Sequence, residues 1–406
     1  MDDGKHYSAS AAANLPDDLV VDILSRLPVR PLCCCKCVSS AWRDLISHPD
    51  HRRRFAQTVS GFFYHLHVDD SPPPEPYWRF TASSPPGPPP PAAAAAFPFL
   101  PSSYSRTDTD LLDSCNGLLL LRSQRRPPSP ATCCYVVCNP ATGNWFELPE
   151  SIHPPGTFGL RSEYLDGKRR TRLAALAFDP AAAGASPSRF HVMQLVEREE
   201  YYPFLFQYRF IIDAVEIYSS ETNTWALTLS HSTEFSGHVT CAAQQAAYHD
   251  GALHFAVDDG GVMSVPTAEG QPWRVTRVFP EPDRHATCGA GSGGGFIGRS
   301  RGRLLYVHKG SRYATLSVYA LESIWGGVER WTLKHYASAL DQFGQTLFKE
   351  HYGVVAVHPD GNVVFLFDSS RGMLLAYDMD RRTVRDVLPL VQASRYYPFF
   401  PYVPLY

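Results

Sequence analysis

A short strand, a polar turn and then a tryptophan recur along this 406-residue chain, and no other feature narrows its fold so far. The segment from Cys138 to Trp145 (CNPATGNW) runs parallel to that from Tyr218 to Trp225 (YSSETNTW), with Thr142 opposite Thr222. Looser copies run from Val265 to Trp273 and from Val318 to Trp331, and a copy from Tyr377 to Val384 ends in valine instead. Most successive copies lie about 50 residues apart, with a longer gap between the first two. Self-similarity at that period predicts a β-propeller with one four-stranded blade per copy. Each hairpin is expected to place its tryptophan between blades. A β-sandwich or an irregular β-domain remains open on the same pattern.

Between the copies, apolar runs alternate with turn signals. Strands are expected at 61–66, 117–121, 135–138, 174–178, 190–196, 210–218, 252–257, 302–308, 315–321, 354–357, 363–367 and 373–377. No long amphipathic helix interrupts them. From Asp69 to about Pro101 the composition turns to proline, alanine and serine, which predicts an extended or disordered insertion, lying inside the β-domain because a strand precedes it. The aromatic carboxyl terminus, Tyr396 to Tyr406, is expected to close the β-domain by packing a last strand against the first blade. Contact with a target is the other reading of that run, and of Tyr201, Tyr202 and Phe204.

The amino-terminal segment from Asn14 to Pro49 differs in kind. Pro16 suits a first helical turn, Asn14 is a candidate cap, and Asp17 and Asp18 sit near the positive end of the helix dipole. Leu19, Ile23, Leu24 and Leu27 recur at helical spacing as one stripe, and Pro28 stops that helix. A second helix is expected from Pro31 to Val38, with Leu32, Cys35 and Val38 inward. A third, capped by Ser39 or Ser40, carries Trp42, Leu45 and Ile46 and ends at Pro49. These apolar faces exceed what so small a unit buries, which points to a partner protein. An ordinary three-helix subdomain packed on the rest of the chain is the plainer alternative.

The pattern LPDDLVVDILSRLP followed by CKCVSSAWRDLIS resembles the F-box, in its plant form. The matched residues include Leu15, Pro16, Asp17, Leu19, Ile23, Leu24, Arg26, Leu27, Pro28, Cys35, Lys36, Cys37, Val38, Ser39, Trp42, Arg43, Leu45 and Ile46. The remainder resembles the associated domain of plant F-box proteins, often kelch-like. That likeness rests on 113–121 (DSCNGLLLL), 138–142 with Leu148 and Pro149, 178–180 followed by 190–192, and 215–220. The resemblance implies an α+β chain, in which a small three-helix module precedes an all-β domain, a propeller of six or seven blades. Residues 1–12 would be disordered, 13–57 the F-box and 58–406 the β-domain, with the insertion at about 69–101. It also implies a Skp-family adaptor and, through it, a cullin ubiquitin ligase for which the chain receives an unknown target. Leu15, Pro16, Leu19, Ile23, Leu24, Leu27, Pro28, Leu32, Val38, Trp42, Leu45 and Ile46 would form the adaptor-binding set. Trp42 is either an interface anchor or the lock of the third helix on the first. Many relatives carry serine or threonine where Pro31 stands, so the start of helix two is expected to lose about 1 kcal/mol of capping.

Other chemistry finds little footing. The net charge of −3 gives no bulk pull on nucleic acid or anionic membrane, and no apolar run is long enough to span a bilayer. Ten cysteines with no secretion signal before them are expected reduced, in the cytoplasm or nucleus. Cys33, Cys34, Cys35 and Cys37 invite a metal reading, but only Cys33 and Cys37 share a helix face and no second pair follows. The run 289–294 matches GxGxxG in form, yet Phe296 and Ile297 lead toward a strand instead of a helix. His65 and His67 lack a third ligand, and His249, His254 and His358 are expected to be structural. No cofactor, metal or catalytic residue is assigned, and the chain is expected not to be an enzyme. A ligase-independent scaffold that binds a protein or glycan stands as the alternative function, and a secreted copper oxidase as a third.

Overall fold

Several strands of this chain carry unbroken apolar runs because both of their faces are buried. In the computed structural model, Leu119 and Leu121 point into one core, with Val136 and Cys138, while Leu120 points the opposite way, with Tyr135 and Val137. Phe62 and Phe63 divide between two cores in the same manner. Successive side chains of a strand alternate sides, so a sheet sandwiched between two neighbours needs apolar residues at every position.

The structure describes residues 15–27, 29–48, 51, 54–55, 59–66, 78–82, 97, 99–126, 133–153, 155, 169–180, 189–202, 207–229, 246–257, 260–268, 271–278, 295–310, 315–325, 328–338, 352–390, 393 and 399–405. They divide into two units, Met1–Gln57 with Pro180–Pro187, and Thr58–Asp179 with Ser188–Tyr406.

The first unit holds short helices, α1 (Asp17–Ser25), α2 (Val29–Cys35) and α3 (Ser40–Ser47). The second is β-structure: β1 (Gly61–His65), β2 (Trp78–Ala82), β3 (Tyr104–Cys115), β4 (Leu118–Arg125), β5 (Cys133–Asn139), β6 (Asn144–Glu147), β7 (Arg169–Phe178), β8 (Phe190–Tyr202), β9 (Gln207–Ser219), β10 (Thr224–Leu229), β11 (Ala246–His249) and β12 (Ala252–Val257). It continues through β13 (Gly261–Pro266), β14 (Arg274–Arg277), β15 (Phe296–Ser300), β16 (Arg303–Gly310), β17 (Thr315–Trp325), β18 (Val328–Ser338), β19 (Tyr352–Val357), β20 (Val363–Asp368), β21 (Met373–Asp378), β22 (Thr383–Pro389) and β23 (Phe400–Tyr402). Among the described residues these strands form six antiparallel sheets: β23-β1-β2, then five meanders of four strands each.

The sheets are the six blades of a propeller. Their innermost strands touch in a ring, β3 to β7, β11, β15, β19 and β23, and β23 touches β3. Six apolar cores lie between the six pairs of neighbouring blades. The carboxyl-terminal strand closes the ring as expected: Phe62 pairs with Pro401 and Phe63 with Phe400, while Phe400 and Tyr402 are buried. The repeat that opened the sequence analysis is the hairpin between the third and fourth strands of a blade. Cys138 pairs with Trp145, Tyr218 with Trp225 and Tyr377 with Val384. Each turn places its sixth residue in the left-handed region (Gly143, Asn223 and Arg382, φ 73°, 56° and 55°). Trp225 does lie between blades, where its indole N–H donates to the Pro149 carbonyl at 2.9 Å. Trp331 and Trp273 also pack into cores between neighbouring blades. Trp145 departs from the expectation: it sits against Tyr104 of its own blade and is exposed.

The DSCNG phrase latches the ring together. Asp113 is buried and accepts from the Leu176 and Ser114 N–H groups, each at 2.8 Å. Asn116 donates to the Phe178 carbonyl at 2.6 Å and Ser114 to the Pro401 carbonyl at 2.8 Å. Asn139 of the second phrase donates to the Leu405 carbonyl at 2.9 Å. A side chain at Gly117, whose φ is +90°, would collide with Leu405. These phrases therefore hold the second blade to the third and to the carboxyl-terminal tail.

The Pro/Ala-rich stretch is not structureless throughout: Trp78–Ala82 forms β2, paired with β1 from His65–Trp78 to Gly61–Ala82. Burial of Trp78 against Phe400 and Phe97 in the first blade's core outweighs the flanking prolines. The rest of that stretch up to 96, and the run 289–294, lie outside the described residues. After the latter, Phe296 begins β15, a strand as expected.

Candidate interaction surfaces

Helix α1 carries more apolar residues than one face can hold. Pro16 occupies its cap position, and its carbonyl accepts from the Leu19 and Val20 N–H groups at 2.9 and 3.1 Å. Val20, Val21 and Leu24 face inward and form a small core with Leu32, Ile46 and Phe55. Leu19 and Ile23, four residues apart on the other side, are each 51% exposed, and Leu15 just ahead of them is 50% exposed. The single stripe expected over Leu19, Ile23, Leu24 and Leu27 is thus two faces. Nine residues with apolar groups over more than half the circumference cannot all point one way.

Helix α2 begins two residues earlier than expected, so Pro31 falls within its first turn, where an N–H has no intrahelical partner to lose. The anticipated capping deficit does not apply. Leu32 is buried, whereas Val38, expected inward, lies beyond the helix end and is 67% exposed. Ser39 caps α3: it is extended (φ −157°, ψ 159°) and its Oγ accepts from the Trp42 N–H at 3.1 Å. Trp42, Leu45 and Leu27 are half-buried against the helical core. Pro28, Asn14, Cys33 and Pro49 are outside what the side-chain description covers. Of the twelve adaptor residues, the structure therefore leaves Leu15, Pro16, Leu19, Ile23 and Val38 exposed and commits Leu24, Leu32 and Ile46 to the module's interior. Leaving four large apolar side chains half in water forgoes on the order of 4 kcal/mol of burial.

On the propeller, a cleft of about 280 Å³ opens between the fourth and fifth blades. Its floor is polar and buried. The His254 ring meets Ser264 Oγ at 2.9 Å and the His249 carbonyl at 3.2 Å, and Ser264 donates to Glu329 at 2.9 Å. Burial pushes the His254 pKa down to about 4 against the pull of that carbonyl and of Glu329. At the rim stand the Asp250-Gly251 turn, Arg274 and Glu322. Arg274 Nε lies 3.8 Å from the buried Glu329, and Glu322 pairs with Lys334. Glu322 occupies an irregularity of β17, between Leu321 and Ser323, where the register with β18 shifts. The turn could have been found in the sequence, since Asp-Gly between two apolar runs signals a tight hairpin; here both residues have positive φ. Of the other histidines singled out in the sequence, His65 meets the Leu66 carbonyl at 2.7 Å and His358 accepts from the Asp360 N–H at 3.1 Å, while His67 lies outside the described residues.

Among the described residues no helix is long and apolar enough to cross a membrane, and no group of His, Cys, Asp or Glu is arranged to hold a metal. A helix with one apolar face exposed, joined in one chain to a six-bladed propeller, is an arrangement suited to protein interaction. Residues 12–58 match the F-box-like family, and residues 93–387 match the family described as F-box protein At3g26010-like, beta-propeller. The second match covers more than half of the chain, which belongs to this family of F-box proteins with a β-propeller. It is similar to the F-box protein At5g07610 of Arabidopsis thaliana, 29% identical over 140 residues, a stretch covering 33% of this chain and 31% of that relative. Among solved structures it is similar to the nidogen/laminin complex (TM-score 0.38, 10% identical, 85% of this chain and 94% of that one). It is likewise similar to the major Malassezia sympodialis allergen Mala s 1 (TM-score 0.37, 12% identical, 69% and 77%).

Proposed function

We propose that this chain is the target receptor of a Skp–cullin–F-box ubiquitin ligase, acting in the cytoplasm or nucleus. The observation that carries the reading is the outward stripe of Leu15, Leu19 and Ile23, with Val38, on a module whose interior is already filled by Val20, Val21, Leu24, Leu32 and Ile46. Spare apolar surface of this size on a small folded unit is what a partner covers. F-box domains generally bind Skp-family adaptors, so the stripe is the adaptor contact. The propeller then holds a target close to the ubiquitin-charged enzyme. The chain itself catalyses nothing and contributes proximity, which raises the target's effective concentration.

Capture of a purified Skp-family adaptor tests this. The intact chain is expected to bind it, and the Leu19→Asp/Ile23→Asp variant to lose binding more than about a hundredfold while unfolding at the same denaturant concentration. Absence of capture by the intact chain, under conditions where another F-box protein binds, sinks the proposal. Binding of the adaptor without recruitment of a cullin would favour the ligase-independent scaffold instead.

A further inference from the structure

We propose that Cys34 and Cys37 are a redox modification site, a dithiol that a small-molecule disulfide oxidises to an intramolecular bridge beside the exposed Val38. Helix α2 ends at Cys35, so Cys37 leaves the helix and does not continue the face of the residue four positions before it. The chain turns there: the Cys37 N–H donates to the Cys34 carbonyl at 3.0 Å and the Val38 N–H to the Cys35 carbonyl at 3.1 Å. A turn closed by such a bond brings its first and fourth Cα atoms within about 7 Å, and a disulfide spans Cα atoms about 4.4–6.8 Å apart. Both thiols are free and both residues are exposed, while Cys35 between them packs against the helical core. The propeller's cysteines stand apart from this pair. Burial pushes the thiols of Cys115 and Cys134 up to about 12 and raises those of Cys133 and Cys138 as well, which suppresses the thiolate that reacts.

Oxidised glutathione represents the class of reagent. One cysteine thiolate attacks its disulfide, expels one glutathione and leaves a mixed disulfide on the protein. The second thiolate attacks the protein-bound sulfur, expels the other glutathione and closes the ring. The two cysteine thiols give up two electrons and two protons, and the two released glutathione thiols carry both away. The second step joins groups already held in one turn, so closure outruns accumulation of the mixed disulfide. Val38 follows Cys37 directly and shares that turn. The link to docking rests on the receptor reading: an adaptor seated on Val38 covers the turn and shields the thiols.

The full chain is incubated with oxidised glutathione, its remaining thiols are alkylated, and it is digested with trypsin for mass spectrometry. Cleavage after Lys36 puts Cys34 and Cys37 on separate peptides, which only the bridge holds together. The expected result is that joined pair. It should fall more than about tenfold in the Cys34→Ser and Cys37→Ser chains, which retain glutathione as a mixed disulfide, and stay within about twofold in the Cys33→Ser and Cys35→Ser chains. Unchanged urea denaturation reports that the variants fold. No joined pair, a pair that survives Cys34→Ser, or attachment of glutathione to the unaltered chain without closure overturns the proposal. Prior binding of a Skp-family adaptor should slow closure more than about tenfold, because exchange needs access to the thiol. An adaptor that binds and leaves the rate unchanged overturns the link to docking. Absence of adaptor capture would sink the receptor reading, while the peptide map still decides the dithiol.

Discussion

The helical module and the propeller treat apolar residues in opposite ways. The propeller hides them on both faces of the middle strands of its blades and closes its ring with β23. The module hides one face of α1 and leaves the other in water, with Leu19 and Ile23 half exposed and Val21 fully covered. A large ring can satisfy itself, because each blade is core for its two neighbours. A unit of short helices has too little interior, and its surplus stays exposed, the surface that we propose an adaptor covers.

The largest effect that would break this comparison lies at ring closure. Phe400→Ala opens the core between the first and second blades and should cost about 3–5 kcal/mol of propeller stability, read by urea denaturation. A smaller loss would mean that the ring does not depend on its last strand. Next comes the two-faced helix. Leu24→Ala should destabilise the module by about 2–5 kcal/mol, whereas Leu19→Asp/Ile23→Asp should leave stability within about 0.5 kcal/mol and remove adaptor capture. Equal destabilisation by both would show that α1 has no free face.

Two buried ionisable groups sharpen the contrast through pH. His254 is buried uncharged, so the native state resists its protonation. Its contribution is present above the ordinary histidine pKa and is lost as pH falls through about 6.5 toward 4, on the order of 3 kcal/mol. His254→Gln should flatten that acid limb of the propeller's stability profile without touching adaptor capture. Asp113 runs the other way. Burial pushes its pKa up to about 7 although two N–H groups donate to it, so the native state keeps a proton that the unfolded chain releases near pH 4. Its contribution is therefore full at low pH and is lost as pH rises through about 7. Asp113→Asn forfeits one of the two backbone bonds and should cost about 1–3 kcal/mol at pH 5, with a flatter stability profile between about pH 4 and 7. The smallest effect is at the cap of α3, where Ser39→Ala should cost about 1 kcal/mol of module stability.

Much of the propeller was legible in the sequence. Runs such as 118–121 and 363–367 read as strands because apolar residues without a break, bounded by turns, fit a sheet covered on both sides. The tryptophan hairpins gave the period, and the aromatic carboxyl terminus gave the closure. Strand β2 was hidden: its five residues sit among prolines, and only pairing with β1 and burial of Trp78 reveal it. In the candidate sites, Leu19, Ile23 and Leu24 all read as interior or interface, because spacing shows that a helix is apolar but not which side its neighbours cover. Arg274 and Glu322 carried no signal at all, since the cleft that both line is built from two blades.

What the sequence determined alone is the local grammar: strands against helices, the turns, the caps and the repeat, all governed by contacts between residues close in the chain. The number of blades, the free face of α1 and the cleft between the fourth and fifth blades were decided only by the tertiary structure. Each of them depends on packing between segments far apart in sequence, as when β23 pairs with β1 to fix the ring at six. No window of neighbouring residues contains that information.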